Sequence, residues 1–130
     1  MKILVIDDDH LVRYTISRIL QRNGYDVVTA SDGKRAMTVF RDERPDMVIT
    51  DIIMPEQEGI QTILMIRAQR PEVKIIAVSG GARTHNVDYL GMAEAFGADD
   101  VIPKPFEAEE LLSRLARFCP PASVVGEVTA

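Results

Sequence analysis

Residues 3–9 read Ile-Leu-Val-Ile-Asp-Asp-Asp: four apolar side chains in a row, stopped by three carboxylates. A strand with one wet face alternates apolar and polar residues, so an unbroken apolar run fits a strand covered on both faces. The pattern returns in Asp26-Val27-Val28-Thr29-Ala30, Met47-Val48-Ile49-Thr50, Val73 to Val78 and the short Val101-Ile102. Amphipathic segments fill the intervals. Val12, Ile16, Ile19 and Leu20 share one helical face, closed by Asn23-Gly24. Ala36, Met37 and Phe40 do the same after Ser31-Asp32-Gly33, and Ile60, Ile63, Leu64 and Arg67 follow Gly59 up to Arg70-Pro71. A further helix is expected over about 84–96, ended by Gly97, and a last one over about 107–118. In the last, Glu107, Glu109 and Glu110 open the helix while Arg114 and Arg117 lie near its end, complementing the helix dipole. Five strand–helix units in strict alternation predict an α/β fold, a parallel sheet with helices on both faces.

Composition bounds the function. The 130 residues are 46% hydrophobic and 27% charged, the balance of one soluble domain with one core. A net charge of -5 argues against a chain-wide grip on nucleic acid. The single cysteine, Cys119, excludes an intramolecular disulfide and a multi-cysteine metal site. The first apolar run is too short for a signal peptide, and no run reaches membrane-spanning length. A cytoplasmic protein is expected, with one domain over 1–118 and a tail or linker stub over 119–130 that begins Cys119-Pro120-Pro121.

In an open parallel sheet, chemistry collects outside the carboxyl ends of the strands. Asp7, Asp8 and Asp9 follow the first strand, Asp51 the third, Ser79 the fourth and Lys104 the fifth. Clustered carboxylates repel one another, and a hard divalent cation is the natural way to keep them ionised. An ammonium and a hydroxyl on the same rim suit a visiting anion. Together they are the parts of a phosphoryl site.

With these residues in order, the chain resembles the receiver domain of two-component response regulators over roughly residues 2–118. The likeness rests on Asp7-Asp8, Ala30-Ser31-Asp32-Gly33, Asp51-Ile52-Ile53-Met54-Pro55 with Gly59, Ser79-Gly80, and Lys104-Pro105-Phe106. It implies a flavodoxin-like, doubly wound, five-stranded parallel sheet in the order 2-1-3-4-5. It implies that Asp51 takes a phosphoryl group from a phosphohistidine of a sensor histidine kinase or histidine phosphotransfer protein. Asp8, Asp51 and the carbonyl of Ile53 would hold Mg2+, with Asp7 acting through water. Lys104 would pair with Asp51 at rest and with the phosphoryl group afterwards, while Ser79 bonds another phosphoryl oxygen and draws its loop inward. The Lys104-Pro105 bond is expected to be cis. The output is a signalling switch toward an unknown downstream protein, with no membrane and no direct nucleic-acid contact, and not a turnover enzyme.

The departures from the family pattern fall on the transmitting surface. Val101 stands where many members carry an aromatic ring, Gln57 where a hydrophobic residue is common, and Pro103 directly precedes Lys104. The stretch from Ser79 to Lys104 is a few residues longer than usual. Asp9 reads as a helix cap, His10 as an exposed first-turn residue and His85 as a loop residue. Met92, Ala93 and Phe96 read as helix core. Two other functions compete. An aspartate-nucleophile phosphatase of the haloacid dehalogenase type would use Asp7-Asp8-Asp9, but has Leu11 where that family wants Thr or Val. A degenerate receiver would lack Asp51 or Lys104, and both are present. The short tail over 119–130, together with a natural-looking Met1, leans toward a stand-alone receiver over one cut from a longer regulator with an effector domain. Without metal, the acidic cluster should be strained, so that Asn at position 8 or 51 stabilises the fold.

Overall fold

The computed structural model describes residues 1–52, 58–79, 91, 95 and 97–118. Within them run β1 (Lys2–Ile6), α1 (His10–Arg22), β2 (Asp26–Ala30), α2 (Gly33–Glu43), β3 (Met47–Asp51), α3 (Glu58–Gln69), β4 (Lys74–Ser79), β5 (Asp100–Pro103) and α4 (Ala108–Ala116). The strands form one parallel sheet in the order β2-β1-β3-β4-β5, the expected flavodoxin-like arrangement.

Side chains alternate across each strand and both faces are covered, which is why the runs are continuously apolar. Leu4 and Ile6 of β1 join Val48, Ile75 and Ala77 under α2 and α3, against Ala36, Met37, Phe40, Ile63 and Ile66. Ile3 and Val5 point the other way, with Met47, Ile49, Ile76, Val78 and Ile102, under Ile16 and Leu20 of α1 and Leu111 and Leu115 of α4. The strand ends are therefore fixed from both sides by packing.

Two helix starts are set by aspartates. The Asp9 carboxylate accepts from the backbone amides of Leu11 (2.9 Å) and Val12 (3.3 Å), and Asp32 accepts from that of Arg35 (2.7 Å). Asn23 and Gly24 end α1 as read, Gly24 with φ 89.

Some expectations need correction. Leu64 does not face the core: it is 47% exposed, while Thr62, Ile63 and Ile66 are buried. Arg67 is a structural hub, its guanidinium donating to the carbonyls of Pro71, Val73 and Gly97 and to the Asp99 carboxylate. The charge order expected of the last helix holds, with Glu109 and Glu110 in the first turn of α4 and Arg114 in its last; Arg114 and Arg117 also reach Asp100 on β5 at 2.7 and 4.0 Å, contacts the sequence did not announce. The helix expected over 84–96 lies outside the described residues except for Gly91 and Ala95, both helical, and the tail 119–130 lies outside them as well. Among the described residues, no helix is long and apolar enough to cross a membrane.

Candidate functional site

The sheet register brings the site together. Ile6 of β1 pairs with Thr50 of β3, so Asp7 and Asp51 follow side by side at the carboxyl edge. The ladder extends one step past β1, because the Asp7 amide donates to the Ala30 carbonyl (3.3 Å). Asp51 lies opposite Val78, and Ser79 opposite Pro103, which puts Ser79 and Lys104 on the same rim. Asp7 and Asp51 are 2% and 6% exposed, while Asp8 is open to solvent.

Lys104 ties the two buried carboxylates together. Its Nζ donates to Asp7 Oδ2 at 2.9 Å and to Asp51 Oδ2 at 3.2 Å. The expected pairing with Asp51 is therefore shared with Asp7. Burial works to lower the pKa of this ammonium, but the Asp7 hydrogen bond and the charges of both aspartates outweigh it, and the pKa is raised above the ordinary 10.5. The Lys104-Pro105 peptide is cis.

Asp7 is fully engaged. Its Oδ1 accepts from the Asp9 amide at 2.9 Å, its Oδ2 is taken by Lys104, and its backbone carbonyl accepts from Arg13 Nη1 at 2.6 Å. Thr50, wholly buried, donates its hydroxyl to the Asp51 carbonyl at 3.1 Å. Sequence reading missed Arg13 and Thr50. A bond to a main-chain carbonyl six residues back leaves no residue-type signature, and Thr50 reads simply as a strand residue.

One ligand atom each from Asp7, Asp8 and Asp51 lies within 4.8 Å of the others. Three carboxylates against one ammonium leave two negative charges, and all the donors are hard oxygens. That set fits a divalent cation of the Mg2+ or Ca2+ kind and not a soft metal. His10 is outside the cluster; its Nδ1 is 3.4 Å from Arg13 Nη2 and the residue is exposed. Ile53 lies outside the described residues, and for Ser79 only the backbone is described.

The strain expected in the metal-free cluster falls unevenly. Asp7 and Asp51 share Lys104, whereas the Asp8 carboxylate has no hydrogen-bond partner among the described residues. Asp8→Asn should therefore raise metal-free stability by ~1 kcal/mol, and Asp51→Asn should not. Urea melts in chelator check this, and an Asp8→Asn protein less stable than the parent would contradict it.

Sequence and fold both liken the chain to known proteins. A family model described as "Response regulator receiver domain" matches residues 3–116. The chain is 38% identical over 133 aligned positions to the response regulator MprA of Mycolicibacterium vanbaalenii, covering all of this chain and 56% of that one. Against MprA of Mycobacterium avium it is 38% identical over 88% of this chain and 49% of that one. The chain thus spans about half the length of these relatives. Among solved structures, chemotaxis protein CheY4 of Vibrio cholerae superposes with a TM-score of 0.78 at 31% identity, covering 90% of this chain and 97% of that one. NtrX from Brucella abortus gives 0.83 at 30% identity over 98% of this chain and 28% of that one.

Proposed function

The chain belongs to the response regulator receiver domain family of two-component signalling, and from that footing we propose that it is a switch whose phosphoryl acceptor is Asp51. The observation that carries this reading is Lys104 bridging two buried carboxylates beside a third, exposed one. An Asp51 carboxylate oxygen attacks the phosphorus of a phosphohistidine on a sensor kinase or phosphotransfer protein. The O–P bond forms, the P–N bond breaks, and the imidazole leaves. Asp8, Asp51 and the Ile53 carbonyl would hold Mg2+, with Asp7 acting through water, and the ion would supply neutralising charge for the incoming phosphoryl oxygens. Lys104 already donates to Asp51 Oδ2, so its ammonium is in place to turn onto a phosphoryl oxygen without crossing the site. Ser79, at the end of β4, offers a hydroxyl to another of those oxygens and carries the change into its loop.

The output is altered shape rather than turnover. An aspartate phosphatase built on Asp7 and Asp9 fits poorly: both Asp7 oxygens are bonded and the Asp9 carboxylate caps α1. Incubation of the 130-residue chain with acetyl phosphate and Mg2+ should add one phosphoryl group by intact mass, and none in chelator. Uptake insensitive to chelation, or sustained turnover of a generic phosphate ester, would overturn the reading. The length of the MprA relatives favours a second form of the same proposal, in which this domain is the receiver part of a longer regulator.

The phosphorylated state should be long-lived. In this family the side chains two positions after the acceptor and two after the Ser/Thr help orient the hydrolytic water, and here they are Ile53 and Gly81. Neither offers a hydrogen bond to water from its side chain. Ile53→Asn should speed decay about tenfold, the worth of one positioning hydrogen bond. Decay no faster than the parent at equal Mg2+ would show that another residue governs the lifetime.

A further inference from the structure

β2 is an edge strand, and beside its carboxyl end a cleft of about 420 Å3 opens between α1 and α2. Arg13 enters it from α1 and Arg35 from α2, with hydroxyls from Thr29, Ser31 and Thr38 between them. No carboxylate lines it, in a chain whose acidic residues outnumber its Lys and Arg by 20 to 15.

The donors are largely unspent. Arg13 uses two of its five N–H groups, on the Asp7 carbonyl and toward His10 Nδ1, and among the described residues it has no ion pair. Arg35 has one ionic neighbour, Asp32, at 3.6 Å from its Nε, beyond hydrogen-bond length, and its side chain is 76% exposed. The Asp32 carboxylate is itself held by capping α2. The Thr29 and Thr38 hydroxyls have no partner among the described residues, and Ser31 Oγ reaches Asp32 only at 3.5 Å. A neighbouring cleft shares Arg13 and Thr29 and adds the guanidinium of Arg18 to the same side of the molecule. By contrast, Arg67 and Arg114 are paired at hydrogen-bond distance, with Asp99 at 2.9 Å and with Asp100 at 2.7 Å.

We propose that the α1–α2 cleft at the β2 edge is a binding site for a small phosphate-bearing anion. Two guanidinium groups approaching from different helices, with neutral donors between, suit an anion with several oxygens. A single carboxylate would occupy only one of them. The volume is that of a small-ligand site. The cleft adjoins the Asp51 centre through the Arg13 bond to the Asp7 carbonyl, but none of its lining residues is a phosphoryl acceptor or a candidate metal ligand, so anion binding in chelator is read apart from phosphoryl uptake at Asp51.

Calorimetric titration of inorganic pyrophosphate into the 130-residue chain, in chelator and low salt, tests it. Saturable one-to-one binding is expected, weakened about tenfold in Arg35→Gln and about threefold in Thr38→Val, and unchanged in Arg22→Gln. Both helices keep their core residues in these variants, so folding is not at issue. Absence of saturable binding would overturn the proposal. So would equal weakening by Arg22→Gln and Arg35→Gln, which would mean attraction to diffuse charge alone.

Discussion

Asn in place of Asp51 should lower phosphoryl uptake from acetyl phosphate by about a hundredfold or more, because the amide removes the only anionic nucleophile the site can spare. Asp7 is no substitute, since its Oδ1 is held by the Asp9 amide and its Oδ2 by Lys104. Asp8 is solvated and off the strand ends, and Asp9 is committed to the helix. Asp9→Asn is the contrasting variant. Asn caps a helix about as well as Asp, so that protein should fold and be labelled like the parent. Equal loss in Asp9→Asn and Asp51→Asn would mean that general acidity near α1, not a nucleophile at the end of β3, drives the reaction.

Lys104→Ala should cost about 2–3 kcal/mol of metal-free stability, the largest effect of any single replacement at the site. It leaves Asp7 and Asp51 facing each other, both nearly buried, without their shared cation. Lys104 is itself only 21% exposed, so solvent screening does not erase the loss. The pH dependence follows from the raised pKa. A cation stabilised in the folded state contributes its full share below the unfolded pKa, near 10.5, and loses it as the pH climbs through the higher folded value. Parent and Lys104→Ala should therefore differ at neutral pH and converge in the alkaline range. Urea melts at both pH values decide it; a gap that is absent at neutral pH, or that widens with alkali, would contradict the pairing.

Much of this architecture is legible in the residues. Ile3 to Ile6 and Met47 to Thr50 are apolar on successive positions because each strand is covered by α1 and α4 on one side and α2 and α3 on the other. The site is readable because strand ends are marked by the residues that stop each run, and Asp7, Asp51, Ser79 and Lys104 are those residues. What the pattern hides is choice among equals. α3 carries Ile60, Ile63, Leu64, Met65 and Ile66 within seven positions, so no single apolar stripe picks its buried face, and Leu64 was the wrong member to bury. Three consecutive aspartates look alike in sequence, yet one is locked in the site, one is solvated and one caps a helix. Only packing separates Asp7 from Asp8. Arg67 and Arg114 reach partners on other elements that no local spacing reveals.

The central claim concerns one oxygen of one side chain, and locating the bond tests it most directly. After labelling with acetyl phosphate and Mg2+, borohydride reduction converts a phosphorylated aspartate to homoserine, which tandem mass spectrometry of the peptides then places. Homoserine at position 51 alone is the expected result. Homoserine at position 7, 8 or 9, or a phosphoryl group stable to reduction, would contradict the account.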